Sequence, residues 1–180
     1  YDALPYALQR IVPVGYEPEM HLSASYREAP GTIYMTLHPN VLTLAEAIVH
    51  EVQHGKLNTL SWFDAVIKNG MTEWTSSPVR PDLRPLWGVL LAVHAFVPVS
   101  ILHRKLIEQN HPVTTTHHFQ KRRQAVWEGN ENGLRIVREK GKLTALGEKV
   151  LSGLESLHAQ SGLMALSNKT LADHLVLPPG

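Results

Sequence analysis

The sequence predicts a mainly α-helical fold built as a single domain over residues 1–180. Long segments with helical periodicity fill most of the chain, strand-like sequence is confined to one short segment, and there is no internal repeat. With 180 residues, of which 43% are hydrophobic, the chain can bury one core but not two large ones. We therefore expect one helical domain with at most a small β element at its edge.

The strand signal lies in the N-terminal part. Four prolines interrupt the first thirty residues, so we expect irregular structure there with at most one helical turn. Residues 31–37, GTIYMTL, are mostly β-branched and aromatic and have turn residues on both sides. They predict one short strand at the edge of the fold.

The clearest element is a long helix that begins near Thr43. Thr43 and Glu46 have the spacing of a capping box, in which each side chain satisfies a free amide at the helix start. Apolar residues continue the helical period until Asn69-Gly70, which is typical of a helix end. The predicted helix is about 40 Å long, and it contains residues 50–54, HEVQH.

A loop and a second helix follow. The loop is rich in proline, serine and glycine and contains Arg80 and Arg84. The second helix, from about residue 86 to 109, is very apolar and should bend at Pro98, since proline cannot donate a helical hydrogen bond. Its apolar run of 17 residues is shorter than a bilayer span, so we expect a buried helix and no membrane partner.

Two more helices fit the C-terminal part, within residues 114–160. The first of them begins with a basic run, Lys121-Arg122-Arg123. We interpret this run as a solvated helix face, with docking of an acidic leader peptide as the alternative.

Composition and charge exclude several classes of function. Lys and Arg number 17 against 16 Asp and Glu, so a formal charge of +1 provides no bulk field to attract nucleic acid. Cysteine is absent, which excludes disulfides and thiolate ligands and fits a reducing, cytoplasmic location. Histidine is abundant, at 11 residues, so a bound metal would take imidazole and carboxylate ligands.

The HEVQH sequence is a candidate metal site. His50 and His54 are one turn apart on a helix, so both rings can face one ion, and Glu51 lies beside them. In zinc hydrolases with this pattern the two histidines bind the metal and the glutamate takes a proton from the bound water. Two core histidines satisfied by hydrogen bonds are the structural alternative.

The third ligand would decide the chemistry, and two candidates remain open. The metzincin pattern needs glycine and histidine where this chain has Leu57 and Leu60, so that class is excluded. Glu73 follows His54 at a spacing found in gluzincin-type zinc peptidases. His94 is a polar residue in the middle of an apolar helix, and a buried imidazole needs a partner such as a metal.

A site made of His50, His54 and His94 would be neutral and would favour an anionic co-substrate that chelates the ion. Arg80 and Arg84 precede the helix that contains His94, and arginine binds carboxylates bidentately. An ordinary surface ion pair is the alternative for either arginine.

Over residues 25–125 the chain resembles the HExxH-type, 2-oxoglutarate-dependent peptide β-hydroxylases that act on ribosomally made peptides. The resemblance is carried by LAEAIVHEVQHGKLNTL, by SSPVRPDLRPLWGVLLAVHAFVPV and, more weakly, by FQKRRQAVWEGNENGLRIV. It implies non-haem Fe(II), 2-oxoglutarate and O2 as cofactors and co-substrates. His50, His54 and His94 match the metal ligands of that family, and Arg80 and Arg84 match its basic positions.

The resemblance implies hydroxylation of a side-chain β-carbon in a precursor peptide, possible help from a leader-peptide recognition partner, and a positioning role for Glu51. Two other hypotheses stay open. One is a zinc metallopeptidase with Glu51 as general base and Glu73 as third ligand. The other is a helical binding module with a structural metal or none.

Overall fold

The computed structural model describes residues 7–76 and 83–173, with the side chains of 7–75 and 83–162. Within these ranges it contains four long helices and a few short strands, which confirms the mainly α-helical fold with a small β element. Arg80, one of the predicted basic positions, lies outside the described residues.

The N-terminal part forms a small sheet, which the sequence analysis did not foresee in full. Strands β1 (Arg10–Tyr16), β2 (Ser23–Ser25) and β3 (Thr32–Leu37) have the order β1-β3-β2. β1 is parallel to β3 and β2 is antiparallel to it. The predicted strand is therefore present, but it is central rather than at the edge, and much of the segment before it is extended rather than irregular.

Helix α1 (Val41–Leu60) starts and ends earlier than predicted. The side chain of Asn40, not of Thr43, caps it, because Asn40 Oδ1 accepts a hydrogen bond from the amide of Leu42 at 2.9 Å. With 20 residues, the helix is about 30 Å long. Beyond it the chain turns instead of continuing as a helix. Asp64 accepts hydrogen bonds that stabilise this turn.

A short hairpin leads into the apolar helix. Strands β4 (Trp74–Ser76) and β5 (Leu83–Pro85) are antiparallel, and helix α2 (Leu86–Glu108) follows at once and continues through Pro98. By length and composition alone α2 could cross a membrane, but half of the residues in its most apolar window are buried inside the protein. It packs against α1 and against both C-terminal helices.

The C-terminal helices are α3 (His117–Lys140) and α4 (Ala145–Asp173), and a short 3-10 helix (Pro112–Thr115) precedes them. The main core lies where the four helices meet. Its fully buried side chains come from every helix and include Leu57, Leu90, Val97, Val137 and Leu151. A second apolar cluster attaches the sheet to α1 through Ile33, Met35, Ala47 and Val52.

A buried carboxylate connects three of the helices. Glu46 on α1 accepts a hydrogen bond from His103 Nε2 on α2 at 2.7 Å and from Arg122 Nε on α3 at 2.8 Å. The side chain of Glu46 is only 8% exposed and that of His103 only 1%. Burial alone would raise the pKa of Glu46, but its hydrogen bonds with His103 and Arg122 and their charges hold that pKa below its ordinary value.

We expect Glu46→Gln to lower the free energy of unfolding by about 2 kcal/mol, because it removes the charged acceptor shared by the buried His103 and the partly exposed Arg122. Chemical denaturation near neutral pH would measure this. The folded pKa lies below the ordinary value of 4.5, so the contribution is present above that value and is lost as the pH falls through the folded pKa.

The matched control is Glu148→Gln, which removes a carboxylate that is 54% exposed and paired with Arg138. We expect this control to cost less than about 1 kcal/mol. Equal losses of unfolding free energy in the two variants would contradict the expectation that the buried carboxylate of Glu46 stabilises the fold more than an exposed one does.

Candidate metal centre

His50 and His54 face the same cavity. They lie one turn apart on α1, and their ring centroids are 4.2 Å apart in an edge-on arrangement. The cavity has a volume of about 390 Å³ and is enclosed by β2, α1, β5 and α2. Besides the two histidines, its lining includes Ser25, Glu51, Arg84, Gly88, Leu91 and Phe96.

Glu51 is fixed by the sheet rather than being free in the cavity. Its side chain is buried, and its two carboxylate oxygens accept hydrogen bonds from Ser23 Oγ at 2.8 Å and from Ser25 Oγ at 2.7 Å. These serines pair with Met35 and Ile33, whose side chains pack toward α1, so the serines share that face of the sheet. Glu51 therefore connects α1 to β2 beside the histidine pair.

The electrostatic environment keeps both imidazoles neutral near pH 7. Burial lowers the pKa of His50 to about 3, and the neighbouring His54 and Arg122 add to this effect against the opposing charge of Glu46. Burial also lowers the pKa of His54, against the opposing charge of Glu51. A neutral imidazole has the free lone pair that metal coordination requires.

The two rings also contain buried nitrogens without partners. Nδ1 of His50 and Nδ1 of His54 are inaccessible to solvent and accept or donate no hydrogen bond within the described part of the chain. Unsatisfied buried polar atoms are rare and cost free energy unless a ligand or water reaches them. Nδ1 of His94 is also without a partner among the described residues, so what distinguishes His50 and His54 is that both rings line one cavity, where two imidazoles would hold a metal ion.

Arg84 places positive charge at the same cavity. It lies on β5, directly before α2, and its side chain belongs to the cavity lining together with His50 and His54. The structure thus brings together four of the predicted site residues: His50, Glu51, His54 and Arg84. A guanidinium in this position can bind a carboxylate that also reaches the ion.

His94 lies elsewhere. It lines a different cavity, of about 550 Å³, together with Gln53, Pro98 and residues of α4. Ala92 and Phe96, which line the first cavity, are each two residues away, so His94 points about 200° around the helix from them. Burial lowers its pKa to about 4, with smaller effects from His54 and Lys56. The described residues contain no group of three His, Asp or Glu side chains arranged to hold a metal.

Glu73, the third ligand of the zinc peptidase hypothesis, is also apart from the pair. It precedes β4, its side chain is 41% exposed, and its Oε1 is 3.9 Å from Lys140 Nζ on α3. Neither candidate for a third ligand lines the cavity of His50 and His54, although His94 is close enough to His54 for its charge to lower the pKa of His94. Both assignments stay predictions.

The sequence analysis missed several residues around the cavity. The ring centroids of Phe96 and His50 are 4.4 Å apart, and the guanidinium of Arg122 lies over the Phe96 ring, 5.6 Å from its centroid. Of the basic run interpreted as a solvated face, Lys121 is exposed, whereas Arg122 is only partly exposed because it pairs with Glu46. The spacing of Glu46, His50 and His54, each one turn from the next, was the available signal that Glu46 shares the buried face.

Comparisons with known proteins add no assignment to this geometry. No protein-family model matches the chain. No curated protein matches it with significant similarity.

The geometry predicts which histidines matter for metal binding. In anaerobic calorimetric titrations with Fe(II), we expect His50→Ala to weaken binding at least about tenfold, or about 1.4 kcal/mol. His94→Ala should change the affinity much less, because its ring faces the other cavity. Equal losses from both variants would show that the three histidines converge when metal binds.

The complementary variant is Leu91→His, which should gain affinity for the metal. Leu91 lines the cavity that the histidine pair faces, so an imidazole there adds a third nitrogen ligand. Tighter binding than in the wild type, by at least about tenfold, is expected. Unchanged binding in this variant would contradict the assignment of the cavity as the metal site.

Proposed function

We propose that the protein is an Fe(II)- and 2-oxoglutarate-dependent dioxygenase that hydroxylates a side-chain β-carbon of a precursor peptide. One observation carries the proposal: two neutral, partly buried imidazoles and an arginine line the same cavity. This combination suits a divalent ion together with an anionic co-substrate. The resemblance over residues 25–125 supplies the identity of both.

His50 and His54 would hold the iron through ring nitrogens. With 2-oxoglutarate and O2 present, Fe(II) supplies the oxidising power needed to hydroxylate an aliphatic C–H bond. The resemblance implies His94 as the third ligand, whereas His94 lines the other cavity, and the variants above decide between these two alternatives. The chain's own contribution is to keep the two imidazoles unprotonated and oriented toward the cavity.

Arg84 would bind the distal carboxylate of 2-oxoglutarate. A fixed arginine at the cavity wall favours one orientation of the co-substrate, with its keto acid end toward the histidines. Arg80 is the second candidate for this role, on the sequence alone.

Glu51 is proposed as a positioning residue. Each of its oxygens accepts one serine hydroxyl group, and these two hydrogen bonds hold the carboxylate against β2. Its hydrogen bonds keep β2 against α1, which fixes one wall of the cavity. The proposal further includes a cytoplasmic location, a possible leader-recognition partner, and no nucleic-acid or membrane partner.

The alternative is a zinc metallopeptidase in which Glu51 is the general base and Glu73 the third ligand. One observation favours it: Glu51 lines the cavity together with both histidines. Against it stands the position of Glu73, which is half-exposed and close to Lys140.

The first test is anaerobic reconstitution with Fe(II) followed by 2-oxoglutarate. A weak charge-transfer band at roughly 500 nm is expected from the chelate. Arg84→Gln should lower the affinity for 2-oxoglutarate at least about tenfold while leaving Fe(II) affinity unchanged. The matched control is Arg135→Gln, which removes an exposed arginine of α3. Absence of the band in the wild-type protein would sink the proposal.

The second test separates the two enzyme classes through Glu51→Gln. In the dioxygenase the band should persist, because a glutamine oxygen can still accept a serine hydroxyl group. The zinc-loaded wild type should not cleave fluorescein-labelled casein. Zinc-dependent cleavage that disappears in Glu51→Gln would support the peptidase instead.

A further inference from the structure

The free edge of β2 borders the candidate metal centre. In the order β1-β3-β2, one side of β2 pairs with β3, and no strand within residues 7–76 and 83–173 pairs with the other side. All three residues of β2 belong to the lining of the cavity that His50 and His54 face. An edge strand offers unpaired amide and carbonyl groups, which can pair with an extended chain.

The hydrogen bonds show which groups point outward. The amide of Thr36 donates to the carbonyl of Leu22 at 2.8 Å, so Leu22 faces β3 with its backbone. In an antiparallel pair the bonded residues alternate, so Ala24 also faces β3 while Ser23 and Ser25 turn their amides and carbonyls away. Within the described ranges, these outward groups of Ser23 and Ser25 have no backbone partner.

From this arrangement we infer that an extended peptide binds by adding a strand to the free edge of β2. The proposal rests on the proposed function, since it names how that site takes its peptide. Hydrogen bonds to the backbone of Ser23 and Ser25 would hold peptides of varied sequence, as strand addition generally does.

Strand addition also delivers a side chain to the right place. A peptide residue directly opposite Ser23 or Ser25 has its Cα about 5.5 Å away and projects its side chain to the same face of the sheet. That face is the one on which both serines bond Glu51, next to His50 and His54. The β-carbon of this peptide residue therefore enters the cavity.

The neighbouring residues indicate what the peptide contains. Leu22 and Tyr26 flank β2 and are 52% and 55% exposed. Because side chains alternate along a strand, both project to the face opposite Ser23 and Ser25. The fitting peptide is thus an extended segment with apolar residues on either side of the residue that enters the cavity.

The experiment uses the full chain and needs neither iron nor 2-oxoglutarate. A display library of random linear peptides is selected on the wild-type protein, and the affinity of one enriched peptide is measured for the variants. Ser25→Pro removes the outward amide, and edge strands tolerate proline. Ser25→Ala is the matched control, which removes only the hydroxyl group.

Strand addition predicts that Ser25→Pro binds the peptide at least about tenfold more weakly than Ser25→Ala. It also predicts that N-methylation of one set of alternate peptide amides abolishes binding, whereas N-methylation of the other set does not. The reason is that only every second amide faces β2. This second measurement uses the wild-type protein and decides the matter if Ser25→Pro does not fold.

Three results would overturn the inference. They are enrichment of no peptide, equal peptide affinity of Ser25→Pro and Ser25→Ala, or equal loss of binding when either set of alternate peptide amides is N-methylated. Because binding is measured without metal, these results leave the dioxygenase proposal intact. Conversely, absence of the Fe(II) charge-transfer band would not affect the peptide measurements.

Discussion

The buried carboxylate of Glu46 is the interaction on which the arrangement of the helices around the site depends. It joins α1 to α2 through His103 and to α3 through Arg122. His50 lies one turn further along α1, and its ring contacts Phe96 of α2, over which Arg122 stacks. A change in the packing of α2 or α3 on α1 would therefore reach His50 directly. Because an unpaired buried charge is costly, the ion pair allows few alternative packings of these three helices.

A second carboxylate has the corresponding role on the other side of the histidine pair. Glu46 fixes α1 to the helices, while Glu51 fixes it to the sheet through Ser23 and Ser25. His50 lies between these two attachments and His54 lies one turn beyond it, and both rings are partly buried. Burial orients the two rings and also lowers the pKa of both. The orientation of the rings and their neutral, metal-binding state therefore have the same physical cause.

The helices were predictable because periodicity is a local property, and the apolar helix after Leu86 is an example. The start of α1 was misplaced since both Asn40 and Thr43 are good caps, and only the structure shows which one binds a free amide. β1 and β2 were missed because pairing with β3 decides their conformation, and such tertiary context overrides local preference. For the site, the spacing of His50 and His54 sufficed, whereas Ser23 and Ser25 are distant in sequence and carry no motif.

The position of His94 shows that a difference of two residues along a helix decides which cavity a side chain lines. The sequence alone makes it a good ligand candidate, since an imidazole amid apolar residues needs a partner. On α2, however, Gly88, Ala92 and Phe96 repeat every four residues along the wall of the cavity, with Leu91 beside them. His94 falls between these positions and faces Gln53 and Pro98 instead. A shift of one turn would keep a residue on the same face, but two residues move it to nearly the opposite one. In the present packing the α2 wall of the cavity is therefore apolar, and within the described residues the histidine pair faces Arg84 without a third imidazole.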